Sequence, residues 1–183
     1  TSISFVNLYE KVCQFANGLK SLNLDVGDRV IIYLPMSIHA VVAMQACARI
    51  GLIHSVIFGG FSAKSIQERI EDTKAKLVIT ADGQFRGGKL IPLKSAVDEA
   101  IKMGKCESVE KIVIYNRANT KLNLNRNDIF WEDLIINKSK KCDPVFLDAE
   151  HPLFILYTSG STGKPKGVQH STAGYLLHAI NTC

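Results

Sequence analysis

Short apolar runs rich in Val and Ile alternate along this chain with stretches in which apolar residues recur every three or four positions. Apolar runs of this kind predict buried strands, whereas the longer period predicts helices. The predicted strands are residues 30–34, 55–58, 77–80, 112–115 and 153–157. Apolar strands that are separated by helices form parallel sheets covered on both faces. We therefore predict an α/β fold with a largely parallel β-sheet and flanking helices.

The first helix is predicted from five apolar residues that share one helical face: Leu8, Val12, Phe15, Leu19 and Leu22. Further helices are predicted at residues 38–49, 63–72, 93–103, 131–136 and 171–183. The hydroxyl of Ser37 can cap the start of the second helix, and Gly51 suits the left-handed position after its end. The polar stretch 116–128 is predicted to be a solvated loop.

The composition excludes several classes of protein. Of the 183 residues, 46% are hydrophobic and 21% are charged, as is usual for globular domains. The net charge is only +5 and no run of basic residues occurs, which argues against a nucleic-acid partner. Uninterrupted apolar runs such as residues 40–44 are far shorter than the roughly 18 residues of a membrane-spanning helix. We therefore expect a soluble protein with no nucleic-acid and no membrane partner.

The five cysteines are scattered along the chain: Cys13, Cys47, Cys106, Cys142 and Cys183. Their odd number and the lack of any Cys-x-x-Cys pair argue against a disulfide framework and a structural zinc site. Cys13 and Cys47 fall in apolar helical patterns and are interpreted as small buried hydrophobes. Four of the five histidines share no metal-ligand spacing: His39, His54, His151 and His178. We therefore predict no metal site in this chain and a reducing, cytoplasmic location.

The segment 157–167, YTSGSTGKPKG, follows the last predicted strand and carries the strongest chemical signal in the chain. Its glycines let backbone N–H groups converge on anionic oxygens, and its serines and threonines add hydroxyl donors. Lys164 and Lys166 add positive charge. This combination suits a di- or triphosphate. A flexible linker is the alternative, but linkers rarely carry two lysines immediately after a buried strand.

The segment does not fit a Walker A loop. That motif requires a glycine five residues before the Gly–Lys pair and a Ser or Thr after the lysine. Here Thr158 occupies the first position and Pro165 the second. Proline has neither the N–H nor the hydroxyl that hold phosphate and magnesium in that motif. Residues 167–170 read as an extended piece, so we predict that the loop joins two strands and does not open a helix.

Together with the following residues VQHSTAGYLL, this segment resembles the signature loop of the adenylate-forming enzymes, a superfamily of acyl-CoA synthetases, peptide-synthetase adenylation domains and luciferases. The strings ACARIGLIHSVIFGGFS (46–62) and TADGQFRGGKLIPLK (80–94) are similar to its short-chain branch, the acetate–CoA ligases. The resemblance covers essentially the whole chain but well under half of such an enzyme. It implies that residues 1–183 are part of the large N-terminal, AMP-binding domain, with the C-terminal domain absent. The start at Thr1 and the stop at Cys183 within an apolar run also lead us to expect a segment of a longer protein.

In that family the loop grips the β- and γ-phosphates of ATP while a carboxylate attacks the α-phosphate. The residues that the resemblance implicates in phosphate binding are Thr158, Ser159, Gly160, Ser161, Thr162, Gly163 and Lys164. Lys164 and Thr162 are the implied catalytic residues, because fixed lysine and hydroxyl donors would stabilise the leaving pyrophosphate. Mg²⁺ is the implied cofactor that neutralises the same oxygens, and the family's acidic motif for it would lie beyond Cys183.

The resemblance also implies a CoA site in the string FRGGK. The implied residues are Arg86, Gly87, Gly88 and Lys89. This string follows a predicted strand, at the edge of the sheet where ligands commonly bind. The family often has Arg at the position of Lys89, and lysine keeps the charge but loses the forked pair of hydrogen bonds. An exposed basic turn without a ligand is the alternative. Gly59 and Gly60 lie at a similar strand end and are predicted to let the CoA adenine approach.

Two further polar features receive structural interpretations. His170 follows the loop and is expected to pack or cap rather than transfer protons. Glu68 and Asp72, four residues apart on a predicted helix, are interpreted as a solvated face and not as a catalytic carboxylate pair.

For the parent protein, the resemblance implies an AMP-forming acetate–CoA ligase. Such an enzyme converts acetate, ATP and CoA into acetyl-CoA, AMP and pyrophosphate through an acetyl-adenylate, so these three small molecules are the expected partners. We expect the segment alone not to complete the reaction. The sequence leaves open a propionyl-CoA synthetase or a medium-chain ligase, and, from another class, a nucleotide- or CoA-binding module without catalysis.

Overall fold

The computed structural model describes residues 2–158 and 165–182 of the chain. The helices in this part are α1 (Phe5–Lys20), α2 (Ile38–Arg49), α3 (Ala63–Thr73), α4 (Leu93–Lys102), α5 (Trp131–Ile135) and α6 (Thr172–Thr182). The strands are β1 (Arg29–Tyr33), β2 (Ile53–Val56), β3 (Leu77–Ala81), β4 (Gln84–Arg86), β5 (Lys89–Ile91), β6 (Lys111–Tyr115), β7 (Asp128–Phe130), β8 (Pro152–Thr158) and β9 (Lys166–Ser171). Strands and helices alternate as the sequence predicts.

One sheet contains seven of the described strands in the order β7–β6–β3–β1–β2–β8–β9. Neighbouring strands are parallel except β9, which runs antiparallel to β8. The central strands β1 and β3 are buried along almost their whole length, as expected for parallel strands covered on both faces. The predicted α/β fold with a largely parallel sheet and flanking helices is confirmed.

The connections between the strands place helices on both faces of the sheet. Helix α2 leads from β1 to β2, whereas α3 returns from β2 past β1 to β3. Because crossovers between parallel strands are right-handed, these opposite directions put the two helices on opposite faces. Accordingly, α1 packs with α2 and α5, while α3 packs with α4. The connection after β1 therefore lies on one face of the sheet and the connection after β3 lies on the other. In such sheets, ligands bind at the carboxyl ends of the strands, near the place where the two connections diverge.

Local features confirm the predicted helix cap, the glycine that follows the second helix and the burial of two cysteines. The hydroxyl of Ser37 accepts a hydrogen bond from the backbone N–H of Ala40 at 3.3 Å and caps α2, and Gly51 follows that helix at a φ of +76°. Cys13 and Cys47 are buried and free. Within the described ranges, no helix combines the length and apolar character that crossing a bilayer requires.

The structure differs from the prediction at short elements. Strand β2 begins at Ile53 and not at residue 55, because its ladder pairs Ile53 with Arg29 of β1 and draws the polar His54 into the buried sheet. The hairpin of β4 and β5 was not predicted. Asp128, the last residue of the predicted loop 116–128, begins β7 instead. Three-residue strands are too short to show an alternating pattern of their own.

Candidate functional site

Three of the segments singled out in the sequence emerge at one edge of the sheet. Gly59 and Gly60 follow β2, the string FRGGK follows β3, and Thr158 ends β8. Because β1, β2, β3 and β8 are parallel, their carboxyl ends lie at the same edge. The fold therefore brings Thr158, the first residue of the predicted phosphate segment, and the predicted CoA segments to the edge where α/β sheets bind ligands.

The string FRGGK forms a tight hairpin. Gly87 and Gly88 adopt φ values of +56° and +75°, which the preferred two-residue hairpin turn requires and which other residues rarely adopt. A Cβ atom at either glycine would meet nothing within 4 Å, so the backbone conformation and not space demands glycine here. The turn pairs Arg86 with Lys89 across the two strands, and both side chains are exposed. The two predicted basic residues are thus neighbours that project from one small structure.

The hairpin packs against the turn that contains Gly59 and Gly60. A Cβ atom at Gly59 would lie 3.1 Å from the side-chain nitrogen of Gln84 and 3.3 Å from the carbonyl oxygen of Leu34. Gly60 has a φ of +104°. The guanidinium of Arg86 lies 5.4 Å from the centroid of the Phe58 ring, within the range of a cation–π contact. The two strings therefore meet in space.

A buried tyrosine, Tyr33, holds this glycine turn in place through two hydrogen bonds. The hydroxyl of Tyr33 accepts a hydrogen bond from the N–H of Gly60 at 3.0 Å and donates one to the carbonyl oxygen of Phe61 at 2.9 Å. Beside the turn, a cavity of about 450 Å³ opens between the start of α3 and α4. Its lining includes Lys64, Ser95 and Glu99 as well as Gly60. The cavity gives the exposed basic hairpin a neighbouring recess with polar groups.

The predicted phosphate loop lies between two strands, β8 and β9, as the sequence predicts, and these two strands are antiparallel. Thr158, the last residue of β8, pairs with Lys166 of β9. Thr158 is the one predicted phosphate-binding residue that the structure describes, and it is exposed. The others lie outside the described residues: Ser159, Gly160, Ser161, Thr162, Gly163 and Lys164. The predicted catalytic residues Lys164 and Thr162 are among them.

The strands on either side of this loop fit closely together. A Cβ atom at Gly167 would lie 3.1 Å from the Cγ2 atom of Ile155 and 3.2 Å from the Cζ atom of Tyr157, so the tyrosine ring occupies the space above that glycine. The Tyr157 hydroxyl donates a hydrogen bond to a carboxylate oxygen of Asp72 on α3. Burial and this hydrogen bond raise the pKa of Tyr157 well above its usual range, so the ring remains a neutral donor at ordinary pH.

His170 and the carboxylates of α3 occupy different environments. The ring of His170 stacks on Phe154 with 4.6 Å between centroids, in agreement with the packing interpretation. Glu68 forms a surface ion pair with Lys64 at 3.6 Å, as a solvated face implies. Asp72 is exposed as well, but its carboxylate also accepts a hydrogen bond from the hydroxyl of Tyr157, 85 positions away in the sequence. No local pattern indicates such a long-range contact.

Asp82, directly after β3, is a residue that the sequence analysis did not identify. Its carboxylate accepts hydrogen bonds from the backbone N–H groups of Gly83, Arg117, Ala118 and Thr120, and from the hydroxyl of Thr120. Burial alone would raise the pKa of Asp82, but these N–H donors together lower it. The start of the polar loop 116–128 is therefore anchored beside the site.

In the described ranges, no three His, Cys, Asp or Glu side chains form a group suited to a metal ion.

Comparisons with known proteins agree with this arrangement. The acetyl-coenzyme A synthetase of Thiobacillus denitrificans is 62% identical over 179 residues, which are 98% of this chain and 27% of that protein. That of Laribacter hongkongensis is 60% identical over 182 residues, the full chain and 28% of that protein. The structure of acetoacetyl-CoA synthetase from Streptomyces lividans superposes with a TM-score of 0.89 at 27% identity, over 98% of this chain and 27% of that one.

The chain thus spans between a quarter and a third of the length of these relatives. The family model described as AMP-binding enzyme matches residues 1–183, the whole of the chain. Together with the parallel sheet, the glycine turn and the basic hairpin described above, this match shows that the chain belongs to the family of AMP-binding enzymes.

Proposed function

We propose that this chain is part of the large N-terminal domain of an ATP-dependent, AMP-forming acetate–CoA ligase. In the first half-reaction, a carboxylate oxygen of acetate attacks the α-phosphorus of ATP, which forms acetyl-adenylate and releases pyrophosphate. In the second, the thiol of CoA attacks the acetyl carbonyl carbon and releases AMP. The acetyl-coenzyme A synthetases that are about 60% identical to this chain support the choice of acetate.

The observation that carries the proposal is the convergence of three segments at one sheet edge. The glycine turn after β2 contacts the basic hairpin after β3, and β8 delivers the phosphate segment to the same edge. A ligase that passes an acyl group from a nucleotide to CoA needs both ligands close together, since effective concentration supplies much of the rate. This arrangement supports a site for two ligands and not for one.

For the phosphate segment, we propose that residues 158–164 hold the β- and γ-phosphates of ATP. Negative charge moves onto these oxygens as pyrophosphate leaves, so hydroxyl, backbone N–H and lysine donors held in place would lower the barrier. Lys164 and Thr162 are assigned this catalytic role. Mg²⁺ would bind to the same phosphate oxygens and neutralise their charge.

For CoA, we propose that Arg86 and Lys89 contact its nucleotide phosphates while Gly87 and Gly88 shape the turn between them. The Phe58 ring restrains the guanidinium of Arg86, which can then bind a phosphate through two parallel hydrogen bonds. Gly59 and Gly60 would allow the adenine to approach the backbone. Four buried, free cysteines in the described residues support a reducing, cytoplasmic setting.

The proposed function is tested on the full-length parent protein. We expect acetate-dependent exchange of pyrophosphate into ATP, and acetyl-CoA formation with a kcat/KM for acetate above those for propionate and a medium-chain acid. A higher value for propionate or the longer acid would assign the protein to one of those ligases instead. Binding of ATP and CoA without any exchange would identify a non-catalytic module. The 183-residue segment is expected to show no exchange.

A further inference from the structure

A buried arginine on α3, Arg69, contacts one aromatic ring beside the phosphate segment and another beside the glycine turn. The guanidinium carbon of Arg69 lies 4.9 Å from the centroid of the Tyr157 ring and 5.5 Å from that of the Phe61 ring. Tyr157 belongs to the end of β8, immediately before the phosphate segment, whereas Phe61 follows the glycine turn. Only 7% of the surface of Arg69 is exposed, so these contacts are shielded from water and are stronger than at the surface.

Arg69 and its partners are each held in place by further contacts. Arg69 donates a hydrogen bond to the carbonyl oxygen of Ser65 at 2.8 Å, one turn earlier on the same helix. Asp72, three residues later, accepts the hydrogen bond of the Tyr157 hydroxyl. Residues three apart lie on one face of a helix, so α3 presents a cation to the ring and an anion to the hydroxyl of one tyrosine. The carbonyl group of Phe61 is fixed by Tyr33.

We propose that Arg69 and Asp72 are positioning residues that orient Tyr157, and with it the start of the phosphate segment, and that Arg69 couples this orientation to the Phe61 turn. The inference rests on the proposed function, in which ATP phosphates and CoA occupy these two places. A shift of the Phe61 ring on binding of CoA would then alter the contact of Arg69 with Tyr157. By linkage, each ligand must change the affinity for the other by the same factor.

The coupling is tested by equilibrium dialysis of ATP against the full-length parent, with and without saturating dethio-CoA, a CoA analogue that lacks the reactive thiol. In the wild-type protein we expect dethio-CoA to change the Kd of ATP by about fivefold or more. In Arg69→Met the change should fall within about twofold, and the Kd of ATP alone should rise about three- to tenfold. Arg126→Met, on the exposed loop before β7, is the matched control and should behave as the wild type.

Three additional variants separate positioning from a general loss of structure. Arg69→Lys keeps the charge without the planar guanidinium and should lose most of the coupling. Tyr157→Phe keeps the ring over Gly167 but removes the hydrogen bond to Asp72, so it should weaken ATP binding and leave the coupling intact. Phe61→Leu should abolish the coupling, and combining it with Arg69→Met should produce no further loss. Thermal unfolding of each variant identifies any that does not fold.

The outcomes distinguish this inference from the proposed function. Absence of acetate-dependent pyrophosphate exchange in the wild type would contradict the proposed function, while dialysis still measures the coupling. No effect of dethio-CoA on ATP binding in the wild type would overturn the inference. So would unchanged coupling in a folded Arg69→Met protein, or in Arg69→Lys if the methionine variant does not fold.

Discussion

The hydroxyl of Tyr33 accepts a hydrogen bond from the backbone N–H of Gly60 at 3.0 Å, at the point where the chain turns away from the carboxyl end of β2. Tyr33 is itself the last residue of β1 and is fully buried. A buried N–H without a partner costs about 1–3 kcal/mol, so this one contact defines how the glycine turn leaves the sheet. The shape of the proposed CoA site therefore depends on a fully buried residue at the end of β1.

The first prediction concerns this hydroxyl. Tyr33→Phe leaves the N–H of Gly60 and the carbonyl oxygen of Phe61 without their partner, so we expect the free energy of unfolding to fall by about 1–3 kcal/mol. In the parent protein the KM for CoA should rise about three- to tenfold, with the KM for ATP within about twofold of wild type. Urea unfolding and steady-state kinetics measure the two effects. The control is Tyr175→Phe, because Tyr175 lies on α6 and its side chain is partly exposed. Equal effects of Tyr33→Phe on the two KM values would contradict a local role.

The two basic residues of the hairpin should contribute unequally to CoA binding. Arg86 can form two parallel hydrogen bonds with a phosphate, whereas Lys89 supplies a single point of charge. In the parent, we expect Arg86→Ala to raise the KM for CoA about 10- to 100-fold and Lys89→Ala about three- to tenfold. Lys89→Arg should restore the fork and match or lower the wild-type KM. An unchanged KM in Arg86→Ala would identify the hairpin as an exposed basic turn without a ligand.

The phosphate segment is tested through the first half-reaction. Lys164→Ala and Thr162→Ala in the parent should each slow acetate-dependent pyrophosphate exchange by about 100-fold or more, since each removes a donor from the departing charge. Lys102→Ala, at the exposed end of α4, is the matched lysine control and should exchange at the wild-type rate. Exchange at an undiminished rate in Lys164→Ala would refute the assignment of this lysine.

The elements with a strong period could be predicted from the sequence, whereas the three-residue strands β4, β5 and β7 could not. The first helix and the strands β1, β3 and β6 each bury a regular set of apolar residues, and that regularity is visible locally. Strand β2 was placed two residues late because a polar residue, His54, lies within its buried part. The pairing with β1 decides the register there, and tertiary pairing is not written in local periodicity.

The candidate site shows the same division. Glycines and basic residues in YTSGSTGKPKG and FRGGK indicate phosphate chemistry because few other structures need that mixture. The residues that hold these segments gave no such signal. Asp82 anchors a loop through Thr120, 38 positions away, and Asp72 binds Tyr157 across 85 positions. An isolated aspartate has the same local appearance whether it faces solvent or organises a loop, so only the folded chain distinguishes them.

A buried ion cluster should contribute strongly to stability. The ammonium of Lys94 lies 2.5 Å from a carboxylate oxygen of Asp98 and 3.0 Å from one of Asp128, and its side chain is 1% exposed. Lys94→Met keeps the length of the side chain but leaves Asp128 buried without its cation, so we expect a loss of about 3–5 kcal/mol in the free energy of unfolding. Lys105→Met, whose exposed ion pair with Glu71 spans 2.9 Å, should cost less than about 1 kcal/mol. Equal losses in urea unfolding would show that burial does not matter here.

His54 should make stability depend on pH. Burial lowers the pKa of His54 to about 4, and its Nδ1 atom has no hydrogen-bond partner in the described part of the chain. An unfolded histidine titrates near pH 6.5, so between these two values the unfolded state binds the additional proton and stability falls as the pH decreases. Lowering the pH from 7 to 5 should therefore cost the wild-type chain about 2 kcal/mol more than His54→Phe.

Urea unfolding at both pH values measures this difference, because acidic residues contribute equally to wild type and variant and cancel. His54 packs 5.7 Å from the ring of Phe154 on an apolar surface, so a phenylalanine can occupy its place. His178→Phe, a matched substitution at an exposed position of α6, should keep the wild-type dependence on pH. If the difference between pH 7 and pH 5 is the same in His54→Phe as in the wild type, then His54 is not the group that titrates. Protonation of His54 in the folded state places a charge inside the sheet, which costs free energy. Low pH therefore favours the unfolded chain, in which the histidine is protonated in water.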